Sequence, residues 1–267
     1  MQQLRKTSRL LVALCAAAVL SACGGGGGDS GTPTALPNFS QDTVPSGARI
    51  DVSARNYFPL KLGDQWIYTK TFTGDAFGAP IVRTVTSAAN AAGWHTVSDL
   101  ENGQSSNQQL RVSPIGFETL DPLGAAGIWP GIDAVLPTFL DYPTPFYPVN
   151  GVRGLVRQGD MQADIDGDQK SDSFKLDFTQ VFVGFESLTV LGKAMEVAHF
   201  RTVIAFTIRG SATGKQVVVT ATYNNYLADG LGEVRQDSSV NSSDGTVAER
   251  PYSMVLKSAV INGKPFG

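Results

Sequence analysis

Ala198-His199-Phe200-Arg201-Thr202-Val203-Ile204-Ala205-Phe206-Thr207-Ile208 decides the fold class. In an extended chain successive side chains point to opposite faces. Ala198, Phe200, Ile204, Phe206 and Ile208 then share one face, while His199, Arg201 and Thr207 point the other way. Such period-two alternation predicts a strand with one buried and one wetter face, hence antiparallel pairing. Phe174-Lys175-Leu176-Asp177-Phe178 repeats the pattern, as do Val217, Val219, Ala221 and Tyr223, and Trp66, Tyr68 and Phe72. Gly210-Ser211-Ala212-Thr213-Gly214 reads as a hairpin connection between two long strands.

No long stretch shows a helical period. Residues 50–267 therefore read as a single all-β domain of long antiparallel strands. Strands this long coil, which favours a half-open or closed barrel over the alternative, a β-sandwich.

Residues 121–150 break the rhythm. They hold six prolines with Trp129, Phe139, Tyr142, Phe146 and Tyr147. Proline cannot donate to a sheet ladder, so the segment reads as an irregular excursion rather than a central strand. Its aromatics either plug the barrel or form a lid over an apolar ligand, and the five named rings are the candidate ligand contacts.

The N-terminus carries signals of another kind. Arg5, Lys6 and Arg9 precede an apolar run from Leu10 to Leu20. The run is too short for a transmembrane helix, which needs about 20 residues, and suits a signal peptide. Leu20-Ser21-Ala22-Cys23 follows and resembles the bacterial lipobox. The resemblance implies that residues 1–22 are a lipoprotein signal peptide and that Cys23 is the lipid attachment site, carrying diacylglycerol and a fatty acid such as palmitate. The alternative is an ordinary secretory signal with Cys23 a bystander. Cys15 leaves with the signal, so the mature chain has a lone cysteine and can form no internal disulfide.

Residues 23–49 comprise that N-terminus and a Gly/Ser/Pro tether. As a coil of about 24 residues it would span roughly 27 Å root-mean-square. Gly24, rather than Asp, follows the cysteine. By resemblance to enterobacterial lipoproteins, this implies the outer membrane.

The whole chain has a formal charge of −3. Loss of the three cationic signal residues leaves the mature chain near −6. That charge argues against a nucleic-acid partner and against a polybasic grip on anionic lipid. The partner expected is a membrane, held through the N-terminal lipid.

Tyr57-Phe58-Pro59-Leu60-Lys61-Leu62-Gly63-Asp64-Gln65-Trp66-Ile67-Tyr68 is similar to the F-P-L-x-x-G-x-x-W-x-Y opening of a loose group of bacterial β-rich lipoproteins without assigned function. Val183-Gly184-Phe185-Glu186-Ser187-Leu188-Thr189-Val190 resembles the group's middle strand, although Leu191-Gly192-Lys193 replaces the turn that usually follows. Tyr226-Leu227-Ala228-Asp229-Gly230-Leu231-Gly232-Glu233-Val234 resembles its closing Y-x-A-x-G-x-G-x-V hairpin. These motifs are structural. The resemblance implies an envelope lipoprotein with a β-fold and brings no catalytic residue with it.

Few residues suggest chemistry. The two histidines, His95 and His199, lie in no motif, and a surface or packing role is expected for each. A hydrolase would need one of them beside Ser or Asp in a cleft. One cluster has ligand spacing: Asp164, Asp166, Asp168 and Asp172, with the Lys170 carbonyl, follow the oxygen rhythm of calcium loops. It departs from that pattern at Gln169, where Gly is expected, and at Lys175, where a bidentate Glu is expected. The cluster reads either as one structural calcium site or as a solvated acidic turn.

The function expected is a non-catalytic envelope lipoprotein, a binding or assembly module. A carrier of an apolar ligand in a half-open barrel is the alternative, and a hydrolase a more distant one.

Overall fold

The computed structural model describes residues 55–113, 116–120, 144–148, 152–160, 164, 167–243, 245 and 250–266. Among them every regular element is a β-strand. In chain order these are β1 (Gln65–Phe72), β2 (Ala79–Val85), β3 (His95–Glu101), β4 (Gln104–Ser113), β5 (Gly116–Thr119), β6 (Thr144–Pro148) and β7 (Val152–Asp160). Then follow β8 (Ser173–Val190), β9 (Lys193–Arg209), β10 (Gln216–Ala228), β11 (Gly232–Ser242), β12 (Tyr252–Ile261) and the short β13 (Lys264–Pro265). They form one antiparallel sheet in the order β6-β5-β4-β3-β2-β1-β12-β11-β10-β9-β8-β7, with β13 on β12. The domain is all-β, as the alternation predicts.

The connectivity dictates how this sheet bends. A flat sheet would hold its edge strands, β6 and β7, eleven spacings apart, roughly 53 Å at about 4.8 Å each. Pro148 ends β6 and Val152 begins β7. Four Cα–Cα steps span at most about 15 Å. The two edges must therefore approach one another, and β6 does lie beside β8. Among the described residues no pairing joins β6 to β7, so the curled sheet is not closed along this seam.

Bulges supply the bend. Register shifts fall between Ile67 and Tyr68, between Phe182 and Gly184, and between Tyr226 and Leu227. An extra residue on one strand kinks it and increases the local twist. The hairpin turns match that twist. Asn102-Gly103, Leu191-Gly192 and Asn262-Gly263 all have positive φ at both positions, as two-residue type I′ turns require.

The main core gathers Trp66, Tyr68, Val85, Val97, Val197, Leu231, Val234 and Leu256 from both sides of the sheet. Bonds across the fold fix it. The Trp66 indole donates to the Leu231 carbonyl at 2.6 Å, and the Tyr68 hydroxyl to the Glu233 carbonyl at 3.1 Å.

Two expectations need correcting. Residues 121–150 are not wholly irregular, because 144–148 form strand β6 on β5. Its prolines, Pro145 and Pro148, are tolerated because β6 is a sheet edge with one side free of ladder demands. His199, expected on a wetter face, is 5% exposed. Residues 197–200 of β9 are all buried, Val197 in the main core and Ala198 and Phe200 in a second cluster with Tyr57, Phe182 and Leu227. At this height the strand is covered on both sides, so alternation no longer separates wet from dry.

Candidate functional site

Three polar groupings lie within or against this frame. The first is an ion network inside the fold. Arg83 on β2 makes a bidentate pair with Asp99 on β3, 2.9 Å at both Nε and Nη2, and its Nη1 reaches Glu233 on β11 at 3.0 Å. Asn225 donates to the other Glu233 oxygen at 2.6 Å. The guanidinium also lies over the Tyr68 ring, 5.4 Å from its centre. Burial works against the charge on Arg83, but Asp99 and Glu233 more than offset it and hold its pKa well above the ordinary arginine value. β2 and β11 stand three strands apart in the sheet. The network therefore ties a bend together.

The second grouping surrounds His199. Its Nδ1 faces Glu186 at 2.6 Å, and its Nε2 faces the Asn224 amide oxygen at 2.9 Å. That oxygen also accepts from Arg201 Nε at 3.2 Å, and the Tyr226 ring stacks on the imidazole at 4.5 Å. Both ring nitrogens face oxygen atoms. The arrangement joins β8, β9 and β10, and Nε2 is directed at an amide oxygen rather than a hydroxyl. His95 is half-buried, with Nδ1 3.4 Å from the Ser87 carbonyl.

The third is the acidic loop at the far end of β8. Asp164 accepts from the backbone N–H of Gly167, Asp168 and Gln169 at 2.6, 3.1 and 2.7 Å. The left-handed turn falls on Gln169, at φ +66°, the position at which the spacing calls for glycine. Asp168 accepts from the Lys170 N–H at 2.8 Å and the Ser211 hydroxyl at 2.7 Å. Asp172, fully buried, accepts from the Ser211 N–H at 2.8 Å. Asp168 and Asp172 thus clamp the β9–β10 turn. Asp166 lies outside the described residues, and with it the complete four-carboxylate set. Among the described residues no group of three His, Cys, Asp or Glu side chains is gathered to hold a metal.

The sheet register reveals a feature the sequence reading missed. Gln180 on β8 pairs with Thr202 on β9, Thr202 with Tyr223 on β10, Tyr223 with Ser238 on β11, and Ser238 with Tyr252 on β12. Cross-strand partners share a face, so these residues form one polar row across five strands. Gln180, Thr202 and Ser238 are 1%, 5% and 6% exposed. Their neighbours on that face include Phe178, Phe182, Phe200, Ile204, Ala221 and Val240. Both amide atoms of Gln180 and the Ser238 hydroxyl have no hydrogen-bond partner. The available signal was a polar residue standing in the apolar phase of the alternation on three strands.

Cys23, Trp129, Phe139 and Tyr142 lie outside the described residues. Phe146 and Tyr147 lie on β6. The tether joins the domain near Arg55 and Asn56, and Asn56 N–H donates to Asp229 at 2.7 Å in the β10–β11 turn. An open depression of about 500 Å³ lies there, lined by Arg55, Ala194, Met195, Glu196 and Asp229. The acidic loop sits at the opposite end of the long strands.

No family model matches the chain, and no curated protein matches it. Two solved structures resemble it in part. One is a suspected lipoprotein from Parabacteroides distasonis, at 11% identity and a TM-score of 0.41, covering 76% of this chain and 97% of that one. The other, from Bacteroides fragilis, is described as an exported protein with a YmcC-like fold. It has 14% identity and a TM-score of 0.38, covering 79% of this chain and 98% of that one. Likeness at this level carries no argument about function.

Proposed function

We propose that the chain works at the cell envelope, in the outer membrane, as a lipid-anchored, non-catalytic binding module. The anchor rests on the ordered signal, apolar run and Leu20-Ser21-Ala22-Cys23 box. The tether supports it, since it joins the domain at Arg55, at one end of the long strands. The binding role is carried by one observation, the buried row at Gln180, Thr202 and Ser238. Unsatisfied buried polar atoms cost about 1–3 kcal/mol each, and a native fold retains them only for a reason. The His199 and Arg83 networks are satisfied internally and act as fastenings.

Growth of an expressing bacterium on labelled palmitate tests the placement. Label should enter the wild type, be lost in Cys23→Ser, and co-fractionate with the outer membrane. An unlabelled mature protein recovered in the soluble fraction contradicts it.

A further inference from the structure

We propose that the buried row is a ligand site for an uncharged amphiphile, an acyl chain ending in an amide or ester. The inference rests on the binding-module reading and names its ligand chemistry. Gln180 offers one N–H donor group and one carbonyl acceptor, both unpartnered, and Ser238 a hydroxyl that can serve as either. Thr202 stands between them in register. An amide or ester head supplies the complementary groups.

Along the strands on both sides of the row the same face is apolar, with Phe174, Leu176, Phe178 and Phe206 at one side and Phe182 and Phe200 at the other. A chain laid along β8 and β9 meets hydrocarbon and aromatic surface for its whole length, each buried methylene contributing about 0.8 kcal/mol. Sites of this kind are mostly apolar with a few polar groups that fix orientation. At the row's β12 end, Lys70 stands over the Tyr252 ring but is already paired with Glu101 at 3.4 Å. At that end an anionic head therefore meets a cation already neutralised. The seam between β6 and β7, unpaired among the described residues, lies one strand from β8.

The described strands and core contacts all lie within residues 55–266, so the chain from Gly24 to Gly267 holds the fold and can be used without its lipid. The probe is an acyl amide of about twelve carbons carrying a dansyl group at the far chain end, compared with the matching carboxylate and plain hydrocarbon. The wild type should bind the amide saturably and at least tenfold tighter than the other two. Gln180→Met, which keeps shape and removes both unpartnered atoms, should weaken amide binding at least tenfold and raise the melting temperature. Ser238→Ala should weaken binding as well.

If no amide binds, or the carboxylate binds as tightly, the ligand class is wrong; a raised melting temperature in Gln180→Met would then still support a binding row. If Gln180→Met melts lower and leaves probe binding unchanged, the row is structural, and both readings fall.

Discussion

Removing the Arg83 guanidinium should destabilise the fold by more than any surface charge can. Arg83→Met retains the apolar stem under Tyr68 but strands Asp99 and Glu233, whose side chains are 20% and 11% exposed, while Arg83 itself is 25% exposed. Breaking a fully buried pair typically costs about 3–5 kcal/mol. Partial exposure lets water screen the orphaned carboxylates, which reduces the expectation to about 2–3 kcal/mol. For a domain of this size each kcal/mol lowers the melting temperature by about 2–4 °C, giving a fall of roughly 4–12 °C. Calorimetric melting at pH 7 measures it. Glu233→Gln in the Arg83→Met background should recover part of the loss, since one stranded charge is gone. Arg250→Met, which breaks the exposed pair to Asp75 at 2.7 Å, should stay within about 0.5 kcal/mol of the wild type. A melting temperature for Arg83→Met within 2 °C of the wild type would refute the claim that this network holds the bend.

Three further outcomes follow from particular contacts. Gly78→Ala should destabilise the β1–β2 hairpin by about 1–3 kcal/mol, because a Cβ there meets the Thr69 and Thr71 side chains and lies 2.7 Å from the Lys70 carbonyl; unchanged melting would contradict that close approach. Burial raises the Tyr68 pKa above its ordinary value of 10.0, so its contribution is intact below pH 10 and is lost as pH rises beyond it. Tyr68→Phe should flatten that alkaline loss and cost about 1 kcal/mol at pH 7, and an unaltered alkaline limb would be the contrary result. Asp172→Ala should cost about 1–3 kcal/mol by stranding the Ser211 N–H. The calcium expectation for the same loop is checked by melting in chelator and in 5 mM calcium. Occupancy of a 0.1 mM site at about 1 mM calcium adds about 1.4 kcal/mol, whereas equal melting temperatures leave the loop held by its N–H donors alone.

The fold was legible wherever one face of a strand is dry. Phe174, Leu176 and Phe178 on β8, and Phe200 and Phe206 on β9, are all buried as their alternation requires. Legibility fails where both faces are covered, as at His199, whose alternation points to water while the residue is buried. It fails also at β6, where proline density masks an edge strand that needs no donors on its outer side. Asn102-Gly103 and Asn262-Gly263 were readable hairpin signals, whereas Leu191-Gly192 adopts the same turn with a residue that rarely accepts positive φ. In the acidic loop the spacing located the sharp turn at Gln169. It could not show that Asp168 and Asp172 both turn to Ser211, because that contact joins segments about forty positions apart. The row at Gln180, Thr202 and Ser238 depends on the pairing of four strands, and register is set by bulges that alternation does not display.

The most direct test of a lipid-anchored envelope module is the intact mass of the protein extracted from bacterial outer membranes. The expected species is a chain beginning at Cys23, with residues 1–22 removed and the mass of a diacylglyceryl group and an amide-linked acyl chain added. A mature chain with a free Cys23 thiol, or one beginning at another residue, would contradict it.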